Sequence, residues 1–505
     1  MNLNRKNILT VSVISGLVIA ALMLFCDESF ARPGGGHGFH GGGHYSGGGH
    51  YSGGSHYSGG SGGGGGLFIN FTGNFIVDLL INIAIWVAIM TIKNMLFGSD
   101  DDDSAVVSSA TPQNFADRTK KINANLSELI NKDTNFSKPV FLDYVTMLYN
   151  KLYLTYNKKE IDEVKPFLKC KVPDFGPNTF SEIAIGSVEI SNIAFDSGTV
   201  FITVAFQSNY TATNIKTGNS IRYEIEEEWL FSKQENVLSP KPEGFGVLRC
   251  PNCGGTLDFK DYGVCKNCGT EFNFQSGGWV VNVISRKQMN KSETKDMLSY
   301  AREEGTNNPT VYSPTVAKDI QTFKSNHEEF VSTVDFCTKI VRPYFYEIYK
   351  NWSEGTWDKT RHLISERQWQ NFNAYLQQLQ KLGYANKLAD IQITKIETAK
   401  YDIDFNYESI TVRIFAQCLD YIVDSQGNKV AGNNKKPRKF SEYWTFVANK
   451  NAVFKNTDLH KCPNCGAPVE KIGESGICEY CNSKISDGNF SWILFSITQD
   501  EVYTG

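Results

Sequence analysis

KCPNCGAPVEKIGESGICEYCNSKISDGNFSWILFSITQ, residues 461–499, sets two cysteine pairs directly before an apolar run that reads as a β-strand. Cys462-x-x-Cys465 and Cys478-x-x-Cys481 can each clamp one side of a tetrahedral ion, with twelve residues between the pairs to cross over. Four thiolates leave no open coordination position, so the ion is read as structural zinc rather than a Lewis acid. Pro463 and Gly466 suit the tight turn of such a knuckle.

The same device stands earlier as RCPNCGGTLDFKDYGVCKNCGTEF (249–272), with Cys250, Cys253, Cys265 and Cys268 in the same order. A thioredoxin-like redox pair would need a single CxxC after a βαβ pattern, and a rubredoxin-type iron site uses a similar knuckle. Two complete four-cysteine sets favour two structural zinc ions. The flanks repeat as well. EEEWLFSK (226–233) and GGWVVNVIS (277–285) bracket the first ribbon, while SEYWTFVA (441–448) and FSWILFSIT (490–498) bracket the second. Both copies read strand, ribbon, strand, with Trp229 matching Trp444 and Trp279 matching Trp492. Each ribbon is therefore placed in the connection between the last two strands of a repeated domain, where a long insertion adds little closure entropy.

The 505 residues carry a formal charge of -4 and are 41% hydrophobic, enough for two or three domains and without the basic excess of a nucleic-acid binder. Residues 1–31 read as a signal peptide or signal anchor: Arg5 and Lys6 precede an apolar run from Ile8 to Phe25, with a cleavage site after Ala31. Residues 32–66 form a Gly/Ser/His/Tyr tract that cannot bury enough apolar surface to order itself. His37, His40, His44, His50 and His56 could gather metal weakly, and a solvated spacer is the plainer reading. Residues 67–98 are expected to hold a transmembrane helix, since 75–92 are nearly all apolar apart from Asp78 and Asn82. Counting spans places everything after residue 98 in the cytoplasm of a bacterial cell, on the far side of the inner membrane from the Gly-rich tract. Reduced thiols suit that side.

The remainder divides into a first domain at 112–288 with its ribbon at 249–274, a linker at 289–315, and a second domain at 316–500 with its ribbon at 461–485. In the second, Phe330, Val334, Cys337, Val341, Phe345, Ile348 and Trp352 recur at helical spacing, and Pro343 must kink or divide that helix. Ser365-x-x-Gln368 reads as a capping box for a helix carrying Trp369, Phe372, Leu376 and Leu379, stopped at Gly383. Ile410, Val412, Ile414 and Ala416 alternate along a strand. In the first, Phe141, Val145, Leu148 and Leu152 mark a helix and Val200, Ile202, Val204 and Phe206 a strand, with no counterpart of the capped helix. Helices followed by an antiparallel sheet give an α+β fold in each copy.

NWSEGTWDKTRHLIS (351–365), LQQLQKLGYANKLADIQITKI (376–396), ITVRIFAQCLDYIVDSQGNKVAGN (410–433) and FSEYWTFV (440–447) resemble the domain of mitochondrial inner-membrane translocase subunit 44 and its bacterial relatives. The resemblance covers residues 320–500 well and 112–285 loosely. It implies two nuclear transport factor 2-like (cystatin-like) cones of helices and bent sheet, and a role at membranes through lipid or a protein partner. Zinc-ribbon-bearing bacterial members have a similar layout. No segment matches a chaperone-recruiting region, so protein import is not carried over.

The expected function is a membrane-anchored binding or scaffold protein that holds a lipid, an apolar peptide or a partner, with a possible part in transport or membrane-protein assembly. KKPRK (435–439), placed between two strands, could touch anionic headgroups or be a solvated turn. An enzyme using the apolar pocket of the cone is the competing class, and a docking adaptor acting through its ribbons is another. His327, His362 and His460 stand in no recognisable catalytic set, and His362 reads as a surface or packing residue in a second helix. A buried carboxylate with a raised pKa would favour the enzyme. Cys170, Cys337 and Cys418 have no CxxC partner and read as packing residues.

Overall fold

The computed structural model describes Pro33 and residues 112–240, 248–249, 256–257, 269, 278–292, 305–452, 454, 458–472, 476–500, 503 and 505. The signal segment, the rest of the Gly-rich tract, the apolar segment 67–98, and Cys250, Cys253, Cys265 and Cys268 lie outside the described residues. Among the described residues no helix is long and apolar enough to cross a membrane. Pro33 and the described residues from Thr119 onward belong to one compact unit.

The first half opens with α1 (Pro112–Lys132) and α2 (Lys138–Thr155), then β1 (Asn178–Asp196), β2 (Thr199–Asn214) and β3 (Ser220–Gln234). After a short antiparallel pair, β4 (Leu248–Arg249) and β5 (Thr256–Leu257), β6 (Val280–Ser292) returns beside β3. The second half opens with α3 (Val316–Asn326) and α4 (Thr333–Phe336), a π-helical segment (Cys337–Val341), α5 (Arg342–Glu354) and α6 (Glu366–Lys381). Its strands are β7 (Tyr384–Ile403), β8 (Tyr407–Asp424), β9 (Lys429–Asn449) and β10 (Ile493–Gln499). Both sheets are four-stranded and antiparallel, ordered β1-β2-β3-β6 and β7-β8-β9-β10. Each ribbon segment lies between the last two strands of its sheet.

Bending these long strands takes β-bulges. β1 shifts register between Ser181 and Ala184, β7 between Ala389 and Gln392, and Glu182 (φ 53°) and Asp390 (φ 50°) sit left-handed inside the shifts. The sheets then curl over their helices, and the alternating β-branched residues named above (Val200, Ile202, Val204; Ile410, Val412, Ile414) all face the cores.

Three local expectations change. The stripe from Phe330 to Trp352 is buried except at Val334, which is 71% exposed, while Phe336 is fully buried. The π segment supplies the reason: its extra residue puts Val341 beneath Phe336, five positions on, just before Pro343 enters α5. Ser365 does precede α6, but its hydroxyl donates to Phe495 O (3.1 Å) instead of capping the helix. Gly383 (φ 75°) follows the helix end as anticipated. KKPRK lies within β9 and not between strands: Arg438 pairs with Cys418 and Asn433 with Asp420, so the residues between them bulge out. The Asn433 side chain accepts from Lys435 N (2.9 Å) and Lys436 N (2.8 Å) to shape that bulge.

The halves share a buried seam. Asn371 of α6 accepts from Ile185 N (3.2 Å) and donates to Ile185 O (2.5 Å), pairing like a strand with the outer edge of β1. Lys381 reaches Glu182 (3.1 Å), and Tyr407, Val447, Ile493 and Phe495 of the second half pack into the core of the first. Asn371→Leu keeps the volume but leaves a buried N–H and C=O unpaired, which costs about 1–3 kcal/mol. Denaturant unfolding of the full chain is expected to show that loss, with proteolysis newly separating the two halves; an unchanged midpoint would mean the clamp contributes nothing.

Candidate functional site

Cys462, Cys465, Cys478 and Cys481 come together as the spacing requires, all four sulfurs lying within 4.8 Å of one another. Cys462 Sγ is 3.9 Å from Cys481 Sγ, and Cys465 Sγ is 3.8 Å from Cys478 Sγ. A zinc–sulfur bond of roughly 2.3 Å gives a tetrahedral edge of about 3.8 Å, so the cluster has the dimensions of a thiolate metal site. Two equivalent turns make it. Gly466 N donates to Cys462 O (2.9 Å) and Asn482 N to Cys478 O (2.8 Å), and both turn residues are left-handed, at φ 77° and 54°. Gly466 was legible as a turn residue; Asn482 is its partner in the second knuckle. Among the described residues, the segment's own buried cluster is Cys462, Val469, Ile472, Cys478 and Ile485, with Ala467, Cys481 and Phe490 half-buried against it. So small a core leaves metal binding to contribute folding free energy.

The ribbon is fastened to the helical layer. His362 Nε2 donates to Leu459 O at 2.7 Å, and Glu366 takes both Lys484 (3.0 Å) and the buried Arg361. Gly476 (φ +68°) packs so closely on Ser486 and Arg361 that a Cβ there would clash. His362 is thus a buried packing residue, but it lies in the turn after the short 3₁₀ segment 357–360 rather than in a helix. Burial pushes its pKa down to about 4, so the ring is neutral.

A second feature sits at the inner end of each core. In the first half Glu227 is buried among Trp229 Nε1 (3.0 Å), Arg286 Nε (3.1 Å) and the Tyr153 hydroxyl. Beside it, the hydroxyls of Tyr149 and Ser208 pair at 2.6 Å. Burial holds Tyr149 and Tyr153 far above the ordinary phenol range, so both remain protonated. In the second half Glu442 accepts from Trp444 Nε1 (2.9 Å), and the Tyr349 hydroxyl lies 3.5 Å from it. Sequence reasoning missed both acids, although each stands two residues before a tryptophan in the paired strands EEEWLFSK and SEYWTFVA.

His327 proves more constrained than its sequence context suggested. Nε2 meets Glu408 (2.7 Å), Nδ1 meets Glu329 (2.9 Å), and Tyr401 donates to the same Glu408 oxygen (2.5 Å). Burial lowers the histidine's pKa, but the two carboxylates outweigh it and the net shift is upward. Asp487 is a buried carboxyl pushed up to about 6 by burial; it accepts from Asn489 N and Nδ2 within a turn, and Tyr407 donates to its backbone carbonyl (3.3 Å). Cys337 and Cys418 are buried, and burial pushes the Cys337 thiol up to about 12.

Two outcomes follow. Cys465→Ser, or prolonged chelation, is expected to open residues 458–492 to protease and to lower the stability of the second half more than the first; equal loss in both would contradict a local site. For His327, a raised folded pKa means stabilisation fully present below the unfolded value of about 6.5 and lost as pH rises through the folded one. The stability gap between the native chain and His327→Gln, from denaturant melts across pH 5–9, is therefore expected to be widest at the acid end.

No curated protein matches the chain. Residues 316–458 match the Tim44-like domain, covering α3 to β9 and stopping before Cys462, the first of the second four-cysteine set. Its nuclear transport factor 2-like fold agrees with the α+β halves described above. The second half of the chain therefore carries a Tim44-like domain.

Proposed function

We propose that the chain is a membrane-anchored binding or scaffold protein of the bacterial inner membrane, built from two duplicated cone-shaped domains, each clasped by a structural zinc ribbon. The family is one of scaffold and binding proteins associated with membranes. The observation that carries the reading is this matched domain standing behind residues 75–92, an apolar run long enough to cross a bilayer. Duplication is supported by the identical strand orders, by the matched Glu-x-Trp strands and by the bulge placed alike in β1 and β7.

The cargo we propose is a lipid or an apolar peptide held at the membrane. The bulge in β9 offers a contact surface, with Lys435 and Lys436 exposed on it and Lys439 exposed beside it. Each basic residue near an anionic surface adds about 1 kcal/mol of attraction. Changing the three lysines to glutamate is expected to reduce flotation of the protein with phosphatidylglycerol vesicles; undiminished flotation removes the bulge from the membrane contact. Native mass spectrometry of the full chain, extracted from membranes without chelator, tests the rest. Two zinc ions and a retained lipid mass are expected, whereas zinc without lipid points to a protein scaffold.

A further inference from the structure

The second four-cysteine segment and the seam between the halves meet on the same few residues. β10 enters both cores: Leu494 is buried in the second half's own core, while its neighbours Ile493 and Phe495 are buried in that of the first. The backbone of Leu363 and Ser365 holds the edge of this strand, and Arg367 stacks 4.5 Å over the Phe495 ring. The stretch 361–367 that grips the seam strand also carries the residues that touch the cysteine segment. Arg361 is buried against Gly476, which lies just before Cys478, and its guanidinium holds Glu366 and the Ile364 carbonyl (3.1 Å). Glu366 in turn takes Lys484, just after Cys481. Burial lowers the Arg361 guanidinium from its ordinary range, and two carboxylates oppose that, Glu366 beside it and Asp143 on α2 of the first half. A second path leaves from the far end of the cysteine segment. Tyr407, whose ring enters the first core, donates to Asp487 O (3.3 Å), and Asn449 N donates to Gly488 O (2.8 Å). Gly488 also packs on the backbone of Val447 and Ala448, and the Val447 side chain enters the first core as well.

We infer that residues 361–367 couple the four-cysteine site to the seam, so that a closed site tightens the contact between the halves and an intact seam tightens the site's hold on a metal ion. The two states differ in named contacts. With the site closed, Arg361 is covered and bridges Glu366 and Ile364 O, which keeps Leu363 and Ser365 in line with Leu494. With the site open, Gly476, Lys484 and Asp487 withdraw, and water competes for both bonds of Arg361. The strand that carries Ile493 and Phe495 into the first core then loses the support of one edge. Coupling between two sites is reciprocal, so whatever factor the site exerts on the seam, the seam exerts on metal affinity. The inference rests on the reading of these cysteines as a metal site, and it gives that site a regulatory part beyond fold stability: loss of metal is reported as loosening of the two halves. It involves neither lipid nor the membrane.

The test uses the full chain, with zinc as the probe. Hydrogen–deuterium exchange is read at 476–485 for the cysteine segment, at 183–187 for the seam, where Ile185 N donates to Asn371, and at 202–206 within β2 for the fold of the first half. Chelation, or Cys465→Ser, is expected to raise exchange at 476–485 and, by about tenfold, at 183–187, an ordinary size for coupling between sites, while 202–206 stays protected. Asn371→Leu, whose native side chain bonds to Ile185 and not to the cysteine segment, is expected to weaken zinc binding by the same factor in competition with a chromogenic chelator. The zinc lost in Cys465→Ser marks the share that belongs to this site. Arg361→Lys keeps the charge but not the two-way bridge; it is expected to still bind zinc, with exchange at 183–187 no longer responding to it, and melting curves check that it folds. Exchange at 183–187 that ignores chelation while 476–485 opens overturns the coupling, as does native zinc affinity in Asn371→Leu or a native response in Arg361→Lys. A chain that binds no zinc at these cysteines overturns the metal reading and the coupling with it, which tells the two failures apart.

Discussion

The second sheet closes only when β10 pairs with β9, and that pairing has to span the whole four-cysteine segment. For a flexible connection the entropic cost rises by only about 0.6 kcal/mol per doubling of length, so distance alone is no obstacle. The harder requirement is holding a seven-residue strand in one register. Its other edge supplies the answer: Leu494 N donates to Leu363 O (2.7 Å) and Ser365 N to Leu494 O (2.9 Å), while Tyr344 donates to Trp492 O (2.6 Å). β10 is therefore gripped on both edges, and the ribbon is fastened to the same 361–366 segment through Arg361, His362 and Glu366. The first half repeats the edge contact, with Lys169 N donating to Val281 O (2.8 Å). A strand edge covered in this way offers no free template for pairing with another chain.

What the sequence made legible follows from which signals are local. Cysteine spacing, β-branched alternation and the helical stripes each depend on residues a few positions apart, and they located both sheets, α2, α5, α6 and the second cysteine cluster. What escaped depends on distant partners. Ser365 had the chemistry of a cap, but Phe495 O, 130 residues away, took its hydroxyl. Val334 lay on an ideal 3.6-residue stripe, and one π-helical residue moved the buried position to Phe336. Glu227 and Glu442 looked like ordinary acids on solvated strand faces, and only the curl of the sheet turns them inward beneath their tryptophans.

The two halves show how one framework tolerates a buried acid in different ways. A carboxylate withdrawn from water needs donors or a cation close by, since an uncompensated charge costs several kcal/mol. In the first half the donors all come from within: tyrosine, tryptophan and an arginine that itself stacks 4.5 Å over Phe175. The matched centre in the second half has exchanged serine for alanine and arginine for glutamine, while keeping the tyrosine, the acid and the tryptophan.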